Sequence, residues 1–260
     1  EHHSNILPWE KVARETGACL VQLPLLETGE INYDFFDSLE KNRIKVISIS
    51  MISNINANAI DYDWIIKAKR ECDALIILDA SQMVGHRRLE CKKINADVYV
   101  MSAHKMYGPK NIAAAIVKKQ LIEEMNPILV GGGMVWNSLG AVPRWQSGSR
   151  KFEAGTFDVG LICAWAESCD YLKKIGMDAV SESDKKIWTY VSNRLDKSVF
   201  SVIPGANVFS SMVSFVVNSF HPHDVTELAI LHNFEIRTGH MCAQGALEQL
   251  GYKSIDCLGE

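Results

Sequence analysis

Residues 97–109 read DVYVMSAHKMYGP, and the fold prediction starts from this stretch. Its first part, 97–102, has the β-branched and aromatic residues that are typical of a strand. His104 and Lys105 follow where that strand ends. Ligands of open parallel sheets bind beyond the carboxyl ends of the strands. The imidazole and the amine are therefore expected at a binding edge.

Three other short apolar runs, 45–50, 74–78 and 112–117, also predict strands. A helix is predicted at 63–72, with Trp64, Ile65 and Ala68 on one face. Strands that alternate with helices favour βαβ units. We therefore predict the α/β class, with a mostly parallel central sheet flanked by helices.

The second half of the chain differs in composition. A loop rich in Gly, Ser, Pro and Trp runs from Gly131 to Arg150. Its glycines suit either a flexible turn or a contact, and its tryptophans Trp136 and Trp145 suit an interface or a core equally. The elements predicted after it are helices at 159–175, 183–198 and 224–234, the last with Asp224 as its cap, and a strand at 211–218. We predict a large domain over 1–155 and, over 156–260, a bridging helix with a smaller α+β domain.

Composition excludes several classes of protein. The chain has 27 Lys and Arg against 31 Asp and Glu, a net charge of −4. A general nucleic-acid binder would carry a basic excess. No apolar run approaches the roughly 20 residues that span a bilayer. We therefore expect neither a nucleic-acid nor a membrane partner.

The seven cysteines predict reduced thiols rather than a disulfide framework. Their number is odd, and no two have the C-x-x-C spacing that would favour a zinc site. We expect no metal site and a cytoplasmic location, or an organelle matrix if a targeting segment precedes Glu1.

Polar side chains follow three of the predicted strands. Asn54 comes after the first, Asp79 and Gln82 after the second, and Lys105 after the third. A lysine near a buried carboxylate suits Schiff-base chemistry with an aldehyde, and pyridoxal 5'-phosphate is the aldehyde that also needs an aspartate at its ring nitrogen. Simpler interpretations stay open, because Asp79 also suits a helix cap, Lys105 a solvated lysine and His104 a structural role.

Five segments in order resemble one family. They are EHHSN with Pro8 and Trp9 at the start, LDASQ at 78–82, SAHKMYGP at 102–109, FEAGT at 152–156 and RTGHMCA at 237–243. Together they resemble the class V, fold-type I pyridoxal-phosphate enzymes, in the branch of group II (SUF-type) cysteine desulfurases and selenocysteine lyases. The resemblance implies the fold-type I transferase fold.

The resemblance also implies a role for each matching residue. Lys105 would bind the cofactor covalently and later move a proton, and Cys242 would become a persulfide; a small buried hydrophobe is the alternative for this cysteine. The remaining implied roles are Asp79 at the pyridine nitrogen, Gln82 at the phenolic oxygen, His3 stacked on the ring, Ser102 and His104 at the phosphate, Thr156 at the partner subunit's phosphate, and Asn54 and Arg237 around the substrate.

The activity implied by the resemblance is conversion of L-cysteine to L-alanine. A homodimer would pass the sulfur to an acceptor protein for iron–sulfur cluster assembly. The alternatives are a selenocysteine lyase acting on L-selenocysteine, a cysteine sulfinate desulfinase, or a cofactor-free member that acts as a binding subunit.

The sequence departs from the family pattern in three places. Met241 stands where relatives usually carry His, and residues 56–59 lack the usual Gly or Pro. The phosphate-binding segment expected before Glu1 and the carboxylate-binding arginine expected after Glu260 are not in the chain. We interpret it as lacking both termini of the family.

Overall fold

The computed structural model describes residues 1–137, 142–205, 208–218 and 220–252. Its centre is a four-stranded sheet in the order β1-β2-β3-β4, formed by β1 (Val46–Ser50), β2 (Leu75–Asp79), β3 (Val98–Ser102) and β4 (Ala113–Val117). The first three strands run parallel, with Ser50 beside Asp79 and Asp79 beside Val100. The four strands predicted at 45–50, 74–78, 97–102 and 112–117 are confirmed.

Strand β4 runs antiparallel to β3, with Ser102 paired to Ala113. The connection between the two strands holds only a short 3₁₀ turn, Ala103–Met106. A parallel return needs a crossover of a dozen or more residues. The short connection therefore reverses the chain, and it places Lys105 in the reversal.

Within residues 1–137 the structure has five α-helices: α1 (His3–Thr16), α2 (Tyr33–Asp37), α3 (Tyr62–Glu71), α4 (Cys91–Ile94) and α5 (Lys119–Glu124). Helix α3 begins where the Asp61 carboxylate accepts the N–H of Asp63 and Trp64, at 2.8 and 3.3 Å. It buries the three predicted residues Trp64, Ile65 and Ala68. They pack in a core with Ile76 and Leu78 of β2.

A buried carboxylate fixes the start of β3. Asp97 accepts the Ile76 N–H at 2.8 Å and pairs with the ammonium groups of Lys69 and Lys118 at 2.7 and 2.9 Å. Burial by itself would raise the pKa of Asp97, but the Ile76 amide and the two cations outweigh burial and hold that pKa below its usual value. Ion pairs therefore stabilise the end of the sheet that lies opposite the carboxyl ends of the parallel strands.

The described part of the second half contains two small hairpins and four α-helices. The hairpins are β5 (Val135–Asn137) with β6 (Arg144–Trp145), and β7 (Phe200–Val202) with β8 (Phe215–Val217); the helices are α6 (Val159–Ile175), α7 (Met177–Ser192), α8 (Pro222–Leu231) and α9 (Gln244–Gln249). The bounds predicted for α6 are confirmed.

Two predicted helices are shifted in the structure. Helix α7 spans Met177–Ser192 rather than 183–198, because Gly176 at φ 86° interrupts the helical path for a single residue. Helix α8 begins at Pro222, and its cap is His221, whose side chain accepts the His223 N–H. Asp224 lies in the first turn and is not the cap.

Helices α6 and α7 contact the first half directly. Ser168 donates to the Tyr107 carbonyl at 3.1 Å, and His86 lies 3.0 Å from the Asp184 carboxylate. The first loop after β3 and the turn after β2 are thus braced from the second half. The boundary near Gly155 stays a prediction.

Candidate active site

A cavity of about 760 Å³ opens at the carboxyl ends of the parallel strands. This volume lies within the range of small-molecule sites. Eight of the ten predicted site residues line it: Lys105, Cys242, Asp79, Gln82, Ser102, His104, Asn54 and Arg237. The structure therefore brings together side chains that are up to 188 positions apart in the sequence, from Asn54 to Cys242.

A larger cavity, of about 1420 Å³, lies on the other side of β1, between this strand and residues 17–23. None of the ten predicted site residues lines it. Its walls are chiefly α1, the segment after it and the outer edge of β1. Volume alone would select this cavity, but the reactive groups are in the smaller one.

Asp79 is the last residue of β2 and is half-buried at the cavity wall. Its Oδ1 accepts the Ser81 N–H at 2.9 Å, which holds the carboxylate at the start of the turn that follows. Gln82 lies in the same turn and also faces the cavity. The strand end thus presents an anionic group and an amide to one space.

Lys105 lies in the 3₁₀ turn that follows β3, and its side chain is half-buried. Gly85 approaches this turn so closely that a Cβ on it would lie 2.1 Å from the Lys105 carbonyl oxygen. Only a residue without a side chain fits there. The turn after β2 and the turn carrying the lysine therefore pack backbone against backbone.

His2, rather than His3, is the histidine that lines the cavity. Its Nδ1 caps α1 by accepting the Ser4 N–H at 3.1 Å. Burial, and after it the nearby Lys105 ammonium, lower the pKa of His2, which favours the neutral ring at neutral pH. The His3 ring packs instead against His240, with 5.4 Å between ring centroids.

The first residues of the chain also tie down the segment that carries Cys242. The His3 N–H donates to the Cys242 carbonyl at 2.7 Å, and the Asn54 side-chain amide donates to the Met241 carbonyl at 2.8 Å. The Asn54 N–H in turn donates to the Glu1 carboxylate at 2.8 Å. Asn54 therefore holds the cysteine segment as well as lining the cavity.

Cys242 is exposed at the cavity rim, so it is not the buried hydrophobe of the alternative interpretation. Arg237 also lines the cavity and is exposed. Thr156 is exposed and does not line the cavity. Thr156 directly follows Gly155, whose N–H donates to the Gly132 carbonyl at 2.9 Å.

Sequence reasoning missed two features of the site. The adjacent histidines His2 and His3 have similar contexts in the sequence, and only the direction of α1 separates them. The contacts of Asn54 and His3 with the Cys242 segment join residues far apart in the chain, and no local pattern signals them.

Across the described ranges, no three His, Cys, Asp or Glu side chains are grouped so that they would bind a metal ion. Among the helices in the same ranges, none is both long and apolar enough to cross a bilayer.

Comparisons with known proteins agree on one family. The model of the family described as "Aminotransferase class-V" matches residues 1–256. A protein of Staphylococcus aureus (strain N315) named "Probable cysteine desulfurase" is 30% identical over 261 aligned positions, which cover 98% of this chain and 62% of the relative. The "Cysteine desulfurase" of Cronobacter sakazakii is 29% identical, with 98% and 63% covered. The chain thus spans less than two thirds of the length of these curated relatives.

Solved structures give the same result. The crystal structure of the cysteine desulfurase CsdA from Escherichia coli superposes with a TM-score of 0.92 at 28% identity, covering 97% of this chain and 63% of that one. The apo structure of a cysteine desulfurase from Thermococcus onnurineus NA1 gives 0.90 at 26% identity, with 97% and 64% covered. The fold-type I prediction is confirmed by these similarities.

Proposed function

We propose that this chain, which belongs to the aminotransferase class-V family, forms the catalytic core of a pyridoxal-phosphate-dependent cysteine desulfurase. The observation that carries the proposal is one cavity lined by Asp79, Lys105 and Cys242. An acid, an amine and a thiol in one space are the groups that sulfur removal from an amino acid requires.

The residues present fit the cofactor. The cavity has the volume of a small-molecule site and its wall combines a strand-end carboxylate, a lysine amine and hydroxyl groups. When bound, pyridoxal phosphate supplies an aldehyde for Schiff-base formation and a ring that serves as an electron sink. Asp79 would hold the ring nitrogen protonated, and Gln82 would donate to the phenolic oxygen.

Other cavity residues would orient the cofactor. Ser102 and His104 flank Lys105 and would donate to the phosphate. The neutral His2 ring would cover one face of the cofactor ring, the role that the resemblance had assigned to His3. Nearby flat side chains restrict a bound ring to one plane and exclude water from that face.

Substrate chemistry would use Lys105, Arg237 and Cys242. Arg237 and Asn54 would orient L-cysteine, and the Lys105 amine would take the proton from its Cα. The Cys242 thiolate would then attack the substrate sulfur: a bond forms between the two sulfurs, the Cβ–S bond breaks, and its electron pair returns to carbon. Protonation of Cβ and return of a proton to Cα by Lys105 would give L-alanine, leaving a persulfide on Cys242. The thiolate is the nucleophilic form, so deprotonation must precede the attack.

The proposal includes a second copy of the chain. An apolar patch lies at the surface, and each of its residues is between 48% and 96% exposed. The patch consists of Ile128, Leu129, Val130, Phe157 and Val159. Its two segments lie together, since a Cβ on Gly131 would lie 3.1 Å from the Ala154 Cβ, and the Gly132 carbonyl accepts the Gly155 N–H at 2.9 Å. Exposed apolar patches mark interaction sites. Thr156 lies among these residues and would reach the partner's phosphate across a homodimer interface.

The persulfide implies an acceptor. We propose that the sulfur passes to an acceptor protein in iron–sulfur cluster assembly. A reactive thiol at an exposed rim suits a reducing compartment such as the cytoplasm.

The test uses the purified full-length protein. It should be yellow, with absorbance from the lysine-bound cofactor, and Lys105→Ala should abolish that absorbance. Cys242→Ala should keep the absorbance and stop sulfur release from L-cysteine. A colourless wild-type protein would refute the assignment. Normal sulfur release from L-cysteine by Cys242→Ala would remove the persulfide role and favour a lyase.

A further inference from the structure

The backbone around Cys242 has an uncommon conformation. Met241 has φ 50° and Cys242 has φ 58°, two consecutive residues other than glycine in the left-handed region. L-residues with a side chain rarely adopt it, because Cβ approaches the following carbonyl oxygen. Such a conformation persists only where surrounding contacts enforce it. We call residues 240–243 the Cys242 turn.

Four hydrogen bonds enforce the conformation of the turn. Two come from other parts of the molecule, the His3 N–H to the Cys242 carbonyl and the Asn54 amide to the Met241 carbonyl. The other two lie within the turn: the Ala243 N–H donates to the His240 carbonyl at 2.8 Å, and the Cys242 N–H donates to His240 Nδ1 at 3.0 Å. The peptide groups on the two sides of Cys242 are thus both held, each through its carbonyl and its N–H.

His240 acts on the turn without facing the cavity. It is not among the cavity-lining residues, whereas its neighbours Gly239, Met241 and Cys242 are. Its Nδ1 accepts from the residue two positions later, the pattern in which Asn and Asp side chains stabilise turns. An acceptor at Nδ1 requires the tautomer with its proton on Nε2. The ring also packs on His3, which limits its rotation.

We propose that His240 is a positioning residue, which holds Cys242 in the left-handed conformation and so directs its thiol towards the cavity. The consequence for sulfur transfer rests on the proposed function, but the conformational role does not. We attribute this role to the hydrogen bond from the Cys242 N–H to His240 Nδ1. An Asn side chain places Oδ1 where His has Nδ1, and should therefore replace it.

The experiment compares three variants of the full-length protein. His240→Ala removes the acceptor, and His240→Asn restores an acceptor without a ring. His221→Ala is the matched control, since His221 makes the same contact with the N–H two residues later, at 3.2 Å, at the start of α8. Two quantities are measured: hydrogen–deuterium exchange of the amides in residues 239–243, and kcat and KM for sulfur release from L-cysteine.

His240→Ala should speed exchange at Cys242 about 3- to 10-fold, as expected for loss of one backbone hydrogen bond. It should lower kcat about tenfold or more with little change in KM, because the thiol is misplaced while substrate binding is retained. His240→Asn should restore both to within about threefold of wild type, since its Oδ1 accepts the same N–H. His221→Ala should change neither.

Unchanged exchange at Cys242 in His240→Ala would overturn the proposal, as would an Asn variant that behaves like the Ala variant. Faster exchange with an unchanged kcat would overturn the role in sulfur transfer. If the wild-type protein released no sulfur, the proposed function would fail, and the exchange data would still decide the role of His240 in the turn.

Discussion

At the scale of single residues, His2 and His3 are adjacent in the sequence but do different things. Helix α1 begins between them, so His2 caps the helix beside Lys105 while His3 points to His240. Neighbouring positions at a helix start point in different directions. The assignment of the stacking ring can therefore be tested one residue at a time.

His2→Asn should weaken cofactor binding about tenfold, because the ring is lost while an acceptor for the Ser4 N–H is kept. The measurement is a titration of the cofactor-free, full-length protein with pyridoxal phosphate, followed by absorbance. His3→Ala, which keeps its backbone N–H to Cys242, should bind almost as wild type. Weaker binding in His3→Ala with normal binding in His2→Asn would return the role to His3.

Asp97 neutralises the ammonium groups of Lys69 and Lys118 at the start of β3. Asp97→Asn should lower the free energy of unfolding by about 2 kcal/mol, because two partly buried cations lose their partner. Urea unfolding at pH 7 measures this loss. Asp170→Asn is the control: Asp170 also lies 2.8 Å from a lysine, Lys173, but both are exposed, and no measurable change is expected.

The same carboxylate predicts a dependence of stability on acid. Its pKa is lower in the folded than in the unfolded state, so the unfolded state binds the proton more readily. The stabilisation is therefore complete above the ordinary aspartate pKa, near 4, and is lost as pH falls through the lowered value. Urea unfolding of the wild type between about pH 5 and pH 2.5 should show this loss, and Asp97→Asn should lack that part of it. Identical profiles for the two proteins would contradict the role of Asp97.

At the scale of elements, the position of the turn that carries Lys105, Ala103–Met106, depends on the close approach of Gly85. Gly85→Ala would place a Cβ against the Lys105 carbonyl, so the two turns must separate. We expect a destabilised protein that binds less cofactor, seen as a lower ratio of cofactor absorbance to protein absorbance. Gly245→Ala is the control, because a Cβ there meets nothing within 4 Å and Ala favours helix α9. Full cofactor content in Gly85→Ala would contradict this packing.

The strands could be predicted from the sequence because each is a short apolar run followed by polar residues. The composition of β4 does not indicate its direction; the signal is the length of the connection, because residues 103–112 are too few for a parallel crossover. The start of α7 was missed because a single glycine, Gly176, both ends one helix and caps the next. Six of the eight cavity residues lie at or just after the ends of β1, β2 and β3, where strand polarity predicts a binding edge, whereas Arg237 and Cys242 were identified only by the resemblance of residues 237–243 to the family. The contacts of the Cys242 turn depend on tertiary packing, which periodicity does not report.

At the scale of the whole molecule, the apolar patch around Leu129 predicts assembly. Leu129→Glu would bury a charge at the proposed interface, and we expect the full-length dimer to dissociate, as measured by light scattering during size-exclusion chromatography. Leu231→Glu is the control, because Leu231 is 76% exposed on α8, outside the patch. A dimer that survives Leu129→Glu would place the interface elsewhere.

The pairing of β3 with β4 also fixes the position of the Lys105 amine, because Lys105 lies in the chain reversal between these two strands. Lys105 lies between two strands whose pairing, Ser102 with Ala113, is fixed on both sides, and the Ala103 N–H to Ile112 carbonyl bond extends the pairing into the reversal itself. A slip of one residue in that pairing would shift the amine by about 3.4 Å and turn alternate side chains to the opposite face. A chain that misaligns β4 would therefore also displace Lys105 in the cavity that it shares with Asp79.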